Sequence, residues 1–585
     1  MLKILHNHLG YECDEPKRAL LVCDSPAEAG EFRVVDDATG ETAFIGSPKE
    51  AGPVAKWDTG YYYVLDFGTL QRKGAFRILC SVDGRQISSF PFAIRKNLLG
   101  PLLSDAAFYF KTQRISGEWL HEDRNLGFLG GLREGRRDVH GGWYDASGDT
   151  GAHMSHLSHS TYFNPQQHPF STYMFFKTYD LMEESGNPLY LILRRRYLDE
   201  AYWGADFIMR MRAESGSFFR AIRRLDSYGS VHGTRKLDYE YNKMGRLASK
   251  KAGIEEEVTD YNYETSLRGG GGMCIAALAM AGAHFYPSAE FTQREYIMAA
   301  KESYDYLEAN NEKYANDGKW NLLDEYCALA AVTELYKATG EYVYRYKGRK
   351  LSGRILERMV DMGPDQGYFS VDGTGRPFFH AADAGMPVIA LLNFAEVEND
   401  EETVARILDA CKKVMAFELH LTGHVVNPFG YARQYVYTSG TFKETFFFPH
   451  DTEAAPWWQG ENARLASLAA AAGLLAEHLE AGSFHDALIE YASNQINWIL
   501  GLNPFDSCMV EGRGRNNPAY YSNYNFCFMS CPGGICNGIT AGYDDDETIL
   551  YIAEEDEREA DNWRWGEQWI PHLSWFMYAV AIKKK

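Results

Sequence analysis

The stretch GGWYDASGD, residues 141–149, places two carboxylates, Asp145 and Asp149, four positions apart among glycines, Trp143 and Tyr144. Glycine lets backbone come close to a bound molecule, and two neighbouring carboxylates can hold one water between them. Far along the chain, Glu567 follows Trp563, Arg564, Trp565 and Gly566 and precedes Trp569. Burial among aromatic walls and near other acids is what keeps a carboxyl protonated at neutral pH, whereas a helix N-terminus would oppose it. An acid pair that activates water and a distant acid that protonates a leaving oxygen are the parts needed to hydrolyse a glycosidic bond. Each part alone has a plainer use, as an Asp-Gly turn capping backbone N–H groups or as a carboxylate on a helix dipole. Together they require a chain that closes residue 149 onto residue 567.

Other segments carry candidate ligand contacts. Between 427 and 469, Arg433, His450, Trp457, Trp458 and Glu461 crowd together just before and into a helix-like pattern. Aromatic faces with bidentate polar groups suit sugar subsites, and a buried loop held by an Arg–Glu pair explains the same residues. His153, His156 and His159 are spaced by three, but no matching carboxylate or cysteine pattern follows, so hydrogen-bonding histidines are expected rather than a metal site. Cys527, Cys531 and Cys536 near PGGIC do not have zinc-ligand spacing. The run Asp544, Asp545, Asp546 and Glu547 could hold Ca²⁺ through oxygen ligands, although it lacks the spacing of an EF-hand loop and also suits a solvated turn. The expectation is no cofactor and no structural metal, with Ca²⁺ as the one cation these residues could take.

Composition narrows the partners. The 585 residues carry a net charge of −21, which disfavours nucleic acid and anionic membrane, since both reward clustered Lys and Arg. No run of 18 apolar residues predicts a transmembrane helix, and MLKILHNHLGYECDEPKRALL lacks the apolar core of a secretory signal, so a cytoplasmic protein is expected. The ten scattered cysteines read as buried thiols. Aromatics make up 14% of the chain, most of them expected in the core and some on sugar-ring faces.

Two textures divide the chain. Up to residue 96, short runs such as RALLVCD, GYYYVLDF and GAFRILCSV alternate with turn sequences and predict a small β-sandwich, and residues 97–585 form the second domain. There the apolar spacing predicts twelve amphipathic helices, at 103–113, 171–185, 193–213, 271–286, 291–310, 321–339, 346–361, 383–397, 401–417, 460–479, 484–500 and 567–582. Twelve helices make six hairpins, which can close into an (α/α)6 barrel. The helix-free stretches around 114–168, 214–266, 418–459 and 502–566 are long enough to be functional.

Four pieces in order resemble family 9 of the glycoside hydrolases: NHLGYECDEPKRALLV, GGWYDASGD, QINWILGLNP and EQWIPHLSWFMYAVA. The resemblance implies a mainly α fold, an (α/α)6 barrel behind an immunoglobulin-like β-sandwich, and an inverting mechanism. It casts Asp149 as the base, Asp145 as the group orienting water and Glu567 as the acid, with Ser147 lengthening the usual spacing so that either Asp could be the base. Trp143, Tyr144, Trp565 and Tyr521 join the candidate sugar contacts, and only Arg513 or Arg515 could stand in for a His-and-Arg subsite motif whose histidines this chain lacks. The DASGD form is similar to an intracellular, exo-acting branch that includes β-glucosaminidases acting on short chitosan oligosaccharides. The expected partner is therefore a short β-1,4-linked oligosaccharide, and no oligomeric state is indicated. Two alternatives are an endo-β-1,4-glucanase with an open cleft, and a lyase or epimerase on a similar barrel, which would favour a Tyr, His or Arg base. A non-catalytic carbohydrate-binding protein would keep the aromatics and tolerate loss of Glu567.

Overall fold

The computed structural model describes residues 2–149, 151–155, 163–224, 234–239, 259–450, 452, 458–518, 522–523, 526–527, 530–552 and 562–583. The first ninety-odd residues form two facing sheets. One runs in the order β1 (Lys3–Leu5), β3 (Arg18–Cys23), β7 (Tyr61–Asp66), β6 (Lys49–Pro53). The other runs β2 (Gly10–Glu12), β10 (Phe92–Arg95), β8 (Gly74–Val82), β4 (Ala29–Asp36), β5 (Thr42–Gly46), with β9 (Arg85–Ser88) also paired to β8. Strands β2 and β6 are absent from the apolar pattern. The first is only three residues long, and the second, KEAGP, is a polar edge strand.

Period-two alternation gives β3 two roles. Ala19, Leu21 and Cys23 face the core between the sheets, while Leu20 and Val22 join the core of the second domain. Trp57 extends this seam: its ring lies 4.7 Å from Phe446, 5.7 Å from Phe447 and 6.2 Å from Trp498.

Twelve long helices build the second domain among the described residues. In chain order they are α1 (Gly100–Gln113), α2 (His168–Ser185), α3 (Leu191–Arg210), α4 (Gly272–Ala283), α5 (Gln293–Tyr314) and α6 (Leu322–Thr339). The chain continues through α7 (Tyr342–Leu356), α8 (Met386–Ala395), α9 (Glu401–Gly423), α10 (Asn462–Glu477), α11 (Ser483–Ile499) and α12 (Ile570–Ile582). The even-numbered helices pack side by side into a closed inner ring, and each odd-numbered helix lies outside against its even neighbour. The sequences obey this division. Every residue of α8 and α12 is buried, whereas α5 buries only a stripe including Tyr296, Ala299, Ala300, Ser303 and Leu307.

The last helix starts at Ile570, not at Glu567 as its apolar pattern suggests. Pro571 suits the first turn of a helix, and the backbone at Glu567 and Trp569 is extended where this segment pairs with another. The helix expected at 346–361 instead spans Tyr342–Leu356, and Met359–Gly363 pairs with Gln366–Phe369 as a hairpin. A second hairpin, Gln434–Thr438 with Thr441–Thr445, lies in the helix-free stretch 418–459. All nine cysteines with described side chains are free thiols, and eight are buried. Trp57→Ala should cost about 3–5 kcal/mol in denaturant unfolding, because a large ring is lost from a closed seam. A change under about 1 kcal/mol would mean that the two domains do not depend on this contact.

Candidate functional site

The loop bearing Asp145 and Asp149 is fixed from three sides. At its start, Tyr144 N–H donates to the Gln113 carbonyl (2.8 Å) and Ile115 N–H to that of Gly142 (3.0 Å), which ties the loop to the end of α1. Gly142 has φ +78°, and a Cβ there would lie 3.2 Å from His168 and Phe207, so glycine is required. Trp143 is wholly buried against Phe110 and Phe175 and donates from Nε1 to Glu200 Oε2 at 3.1 Å. On the second side His168, in the first turn of α2, takes the Trp143 N–H at 3.0 Å and reaches the His153 carbonyl at 2.7 Å through its other ring nitrogen.

The third side brings the remote acid. Ser147 N–H donates to the Gln568 carbonyl (3.0 Å), Ile570 N–H donates to the Asp145 carbonyl (3.0 Å), and Ala146 bridges Trp569 in antiparallel fashion. Tyr109 Oη adds a 2.6 Å bond to the Gln568 carbonyl. Glu567 thus enters the centre as the residue preceding an extended clasp on the Asp loop.

Electrostatics separate the three acids. Glu567 is only partly open to solvent, and burial together with the charges of Asp145 and Asp149 pushes its carboxyl up to about 8 against the lowering effect of an Asn537 hydrogen bond. Asp145 is 2% exposed, and burial raises it to about 6 despite hydrogen bonds that include one from Gln167 Nε2 to Oδ2 (3.3 Å). His153 Nε2 lies 3.5 Å from the same oxygen, and burial keeps the imidazole neutral by lowering it to about 4. Asp149 is more open, and its Oδ1 accepts the Gly151 N–H at 3.0 Å. Near neutral pH Glu567 keeps its proton while Asp145, raised only to about 6, is largely ionised.

The remaining candidate residues are distributed differently. Tyr144 is half-buried, and its hydroxyl senses the charges of Arg235 and Asp123. Trp565 is wholly buried and donates to Thr540 Oγ1 at 2.8 Å. His450 stacks on Trp458 at 4.0 Å and pairs with Asp546 at 3.2 Å, while the Arg564 guanidinium covers Trp458 at 4.1 Å. Glu461 is joined to Arg464 in a buried pair and accepts from Phe448 N–H and Gln434, so it holds a loop. Arg433 holds the adjoining hairpin through Glu444 and the Leu421 carbonyl. Arg515 lies at the domain seam, paired with Asp506 at 2.7 Å and stacked over Phe90 at 4.3 Å, and Arg513 grips Asp105 at 2.6 and 2.9 Å. These four charged groups are spent on architecture, each held by an opposite charge of the protein itself. Trp457, Tyr521, His156 and His159 lie outside the described residues.

Much of the acidic run after Tyr543 is engaged by side chains of the protein itself. Lys56 reaches Asp545 (3.1 Å) and Glu547 (2.5 Å), and Asp546 meets His450. Among the described residues, no three His, Cys, Asp or Glu side chains are grouped to hold a metal ion. Cys531 contacts Gln113 and Ser147, whereas Cys536 faces Tyr551.

Sequence reading missed Asn537 and His572. Asn537 N–H donates to the Glu567 carbonyl at 2.8 Å, and its side chain reaches Glu567 Oε2 at 3.2 Å. An asparagine in NGIT and a histidine within an apolar helix carry no compositional signal.

Comparison with known proteins agrees with this architecture. Residues 100–523 match the model of glycosyl hydrolase family 9, and residues 2–85 match a cellulase N-terminal Ig-like domain. The chain belongs to glycosyl hydrolase family 9. It is 29% identical to a cellodextrinase of Butyrivibrio fibrisolvens over 239 residues, 38% of this chain and 40% of that protein, so the match spans less than half of the relative's length. It is 22% identical over 556 residues to a xyloglucan-specific endo-beta-1,4-glucanase of Bacteroides ovatus, covering 88% and 81% of the two chains. A solved Bacteroides ovatus GH9 structure superposes with a TM-score of 0.65 at 17% identity, covering 100% of this chain and 99% of that one, which is a likeness of fold. No helix among the described residues is long and apolar enough to cross a membrane.

A carboxyl raised by the fold holds its proton more tightly folded than unfolded. Its stabilisation is therefore full below the unfolded value of 4.5 for Glu567 and is lost as pH rises through about 8. Glu567→Gln should accordingly gain melting temperature over the parent progressively between about pH 4.5 and 8. A difference that stays flat over this range would show that Glu567 is not held at a raised value.

Proposed function

We propose that this chain is an inverting β-1,4-glycosidase acting on short gluco-configured oligosaccharides from a chain end, with chitosan oligomers as substrate. The observation that carries this reading is the clasp between residues 145–147 and 568–570, which sets a carboxyl raised to about 8 beside two further acids. Asp149, the more open of the pair, takes a proton from water as the water attacks the anomeric carbon. Asp145 orients that water, and Glu567 gives its proton to the departing oxygen. Glu567 lies beyond the stretch matched by the family model, so its role rests on this geometry and on the resemblance of the last helix.

Preference for an amino sugar is supported by charge. Arg433, Arg513 and Arg515 are paired with carboxylates elsewhere, and three acids converge at the centre. Such a centre suits a cationic ring better than a neutral one. Cello-oligosaccharides are the second reading, favoured by the similarity to a cellodextrinase.

Cellotriose and chitosan trimer, hydrolysed side by side, separate the two. Early monosaccharide release from the amino-sugar trimer alone is the expected result, and cleavage of cellotriose instead would move the assignment to the second reading. Cleavage of neither would remove the hydrolase proposal for short substrates. The first-formed anomer, followed by NMR, should be α, and a β product would exclude the water-between geometry. Asp149→Asn should lower turnover by at least about 10²-fold with the fold retained. Equal activity of Asp149→Asn and the parent would transfer the base role to Asp145.

A further inference from the structure

The amide of Asn537 is oriented by a chain of hydrogen bonds with one consistent proton arrangement. Ala463 N–H, at the start of α10, donates to His572 Nδ1 at 2.8 Å, so that ring nitrogen carries no proton. The imidazole is wholly buried, and burial lowers it to about 3, so it is neutral with its single proton on Nε2. Nε2 lies 2.7 Å from Asn537 Oδ1 and must donate to it. Gln459 Nε2 points at the same oxygen at 3.4 Å, while the Trp563 carbonyl accepts from Asn537 Nδ2 at 2.7 Å. A flipped amide would set donor against donor at His572 and oxygen against oxygen at Trp563. The second N–H of Nδ2 is therefore fixed on Glu567 Oε2, 3.2 Å away.

An amide nitrogen donates and cannot accept. A proton on Glu567 Oε2 would face the Asn537 N–H directly, whereas a proton on Oε1 would leave Oε2 free to accept. We propose that Asn537, oriented by His572, is a positioning residue for the acid step, holding Glu567 Oε2 as an acceptor so that the transferable proton resides on Oε1. This rests on the reading of Glu567 as the general acid. The backbone is shaped for the same purpose. Asn537 N–H holds the Glu567 carbonyl, and Gly460 sits so close to Asn537 that a Cβ at position 460 would fall 2.2 Å from the Asn537 carbonyl carbon. Asn537 itself is wholly buried, so it has no route to substrate and acts through Glu567.

The test uses two substrates of one sugar in the full-length protein: the oligosaccharide that the parent cleaves, and its 2,4-dinitrophenyl glycoside. The aryl glycoside's leaving group needs little protonation, so a defect confined to proton delivery spares it. Asn537→Asp, nearly isosteric but without the donor, should lose about 100-fold in kcat/KM on the oligosaccharide and less than about fivefold on the aryl glycoside. His572→Leu should show the same split. His572→Gln, whose amide can accept from Ala463 and donate to Asn537, should recover at least about tenfold of the loss on the oligosaccharide. Parallel losses on both substrates, or no loss on either, would overturn the positioning role. Glu567→Gln is the control. If it loses equally on both substrates, the acid assignment itself fails and the relay falls with it. A split for Glu567→Gln but not for the Asn537 and His572 variants would refute the relay alone.

Discussion

The centre depends on a short antiparallel pairing of backbone between residues 145–147 and 568–570. Side chains on loops more than 400 positions apart in sequence cannot be placed to a fraction of an ångström by loop packing alone. The two main-chain hydrogen bonds that make up the 146–569 bridge accomplish it, because the segment that pairs is the one that leads into α12. The inner ring of helices is what makes the pairing attainable, since α12 closes against α2 and α10. The barrel is thus a device for returning the end of the catalytic unit to its beginning.

The same closure creates the electrostatic tension of the site. Three carboxyl groups meet where water is scarce, and the fold resolves the conflict by keeping a proton on one of them. Neutral histidines surround the acids: His153, His168 and His572 are all driven below their ordinary value by burial. They hold loops and orient amides without adding charge that would discharge the acid.

Much of this was legible in the residues. The twelve helices follow from the apolar spacing, and GGWYDASGD marks itself by composition. The start of α12 was not legible, because WGEQWIPH continues the apolar pattern of a helix while pairing holds residues 567–569 out of helical conformation. Arg433, Glu461 and Arg515 resemble ligand contacts because they stand near aromatics or in a motif-like stretch. Arg515 illustrates the difficulty, since Asp506 is nine positions away but Phe90 and His8 belong to the other domain. Asn537 and His572 could not be found by spacing, because what sets them apart is one hydrogen-bond chain running through residues 463, 572, 537 and 567.

The order of the helices also has a consequence for biosynthesis. The β-sandwich and the first eleven barrel helices leave the ribosome before α12, and the Asp loop waits through more than 400 residues of synthesis for its partner. A nascent chain can therefore acquire most of its buried core while one slot in the inner ring is still vacant. Under the proposed roles, the three acids come together only once α12 enters that slot and brings Glu567 to the aspartates.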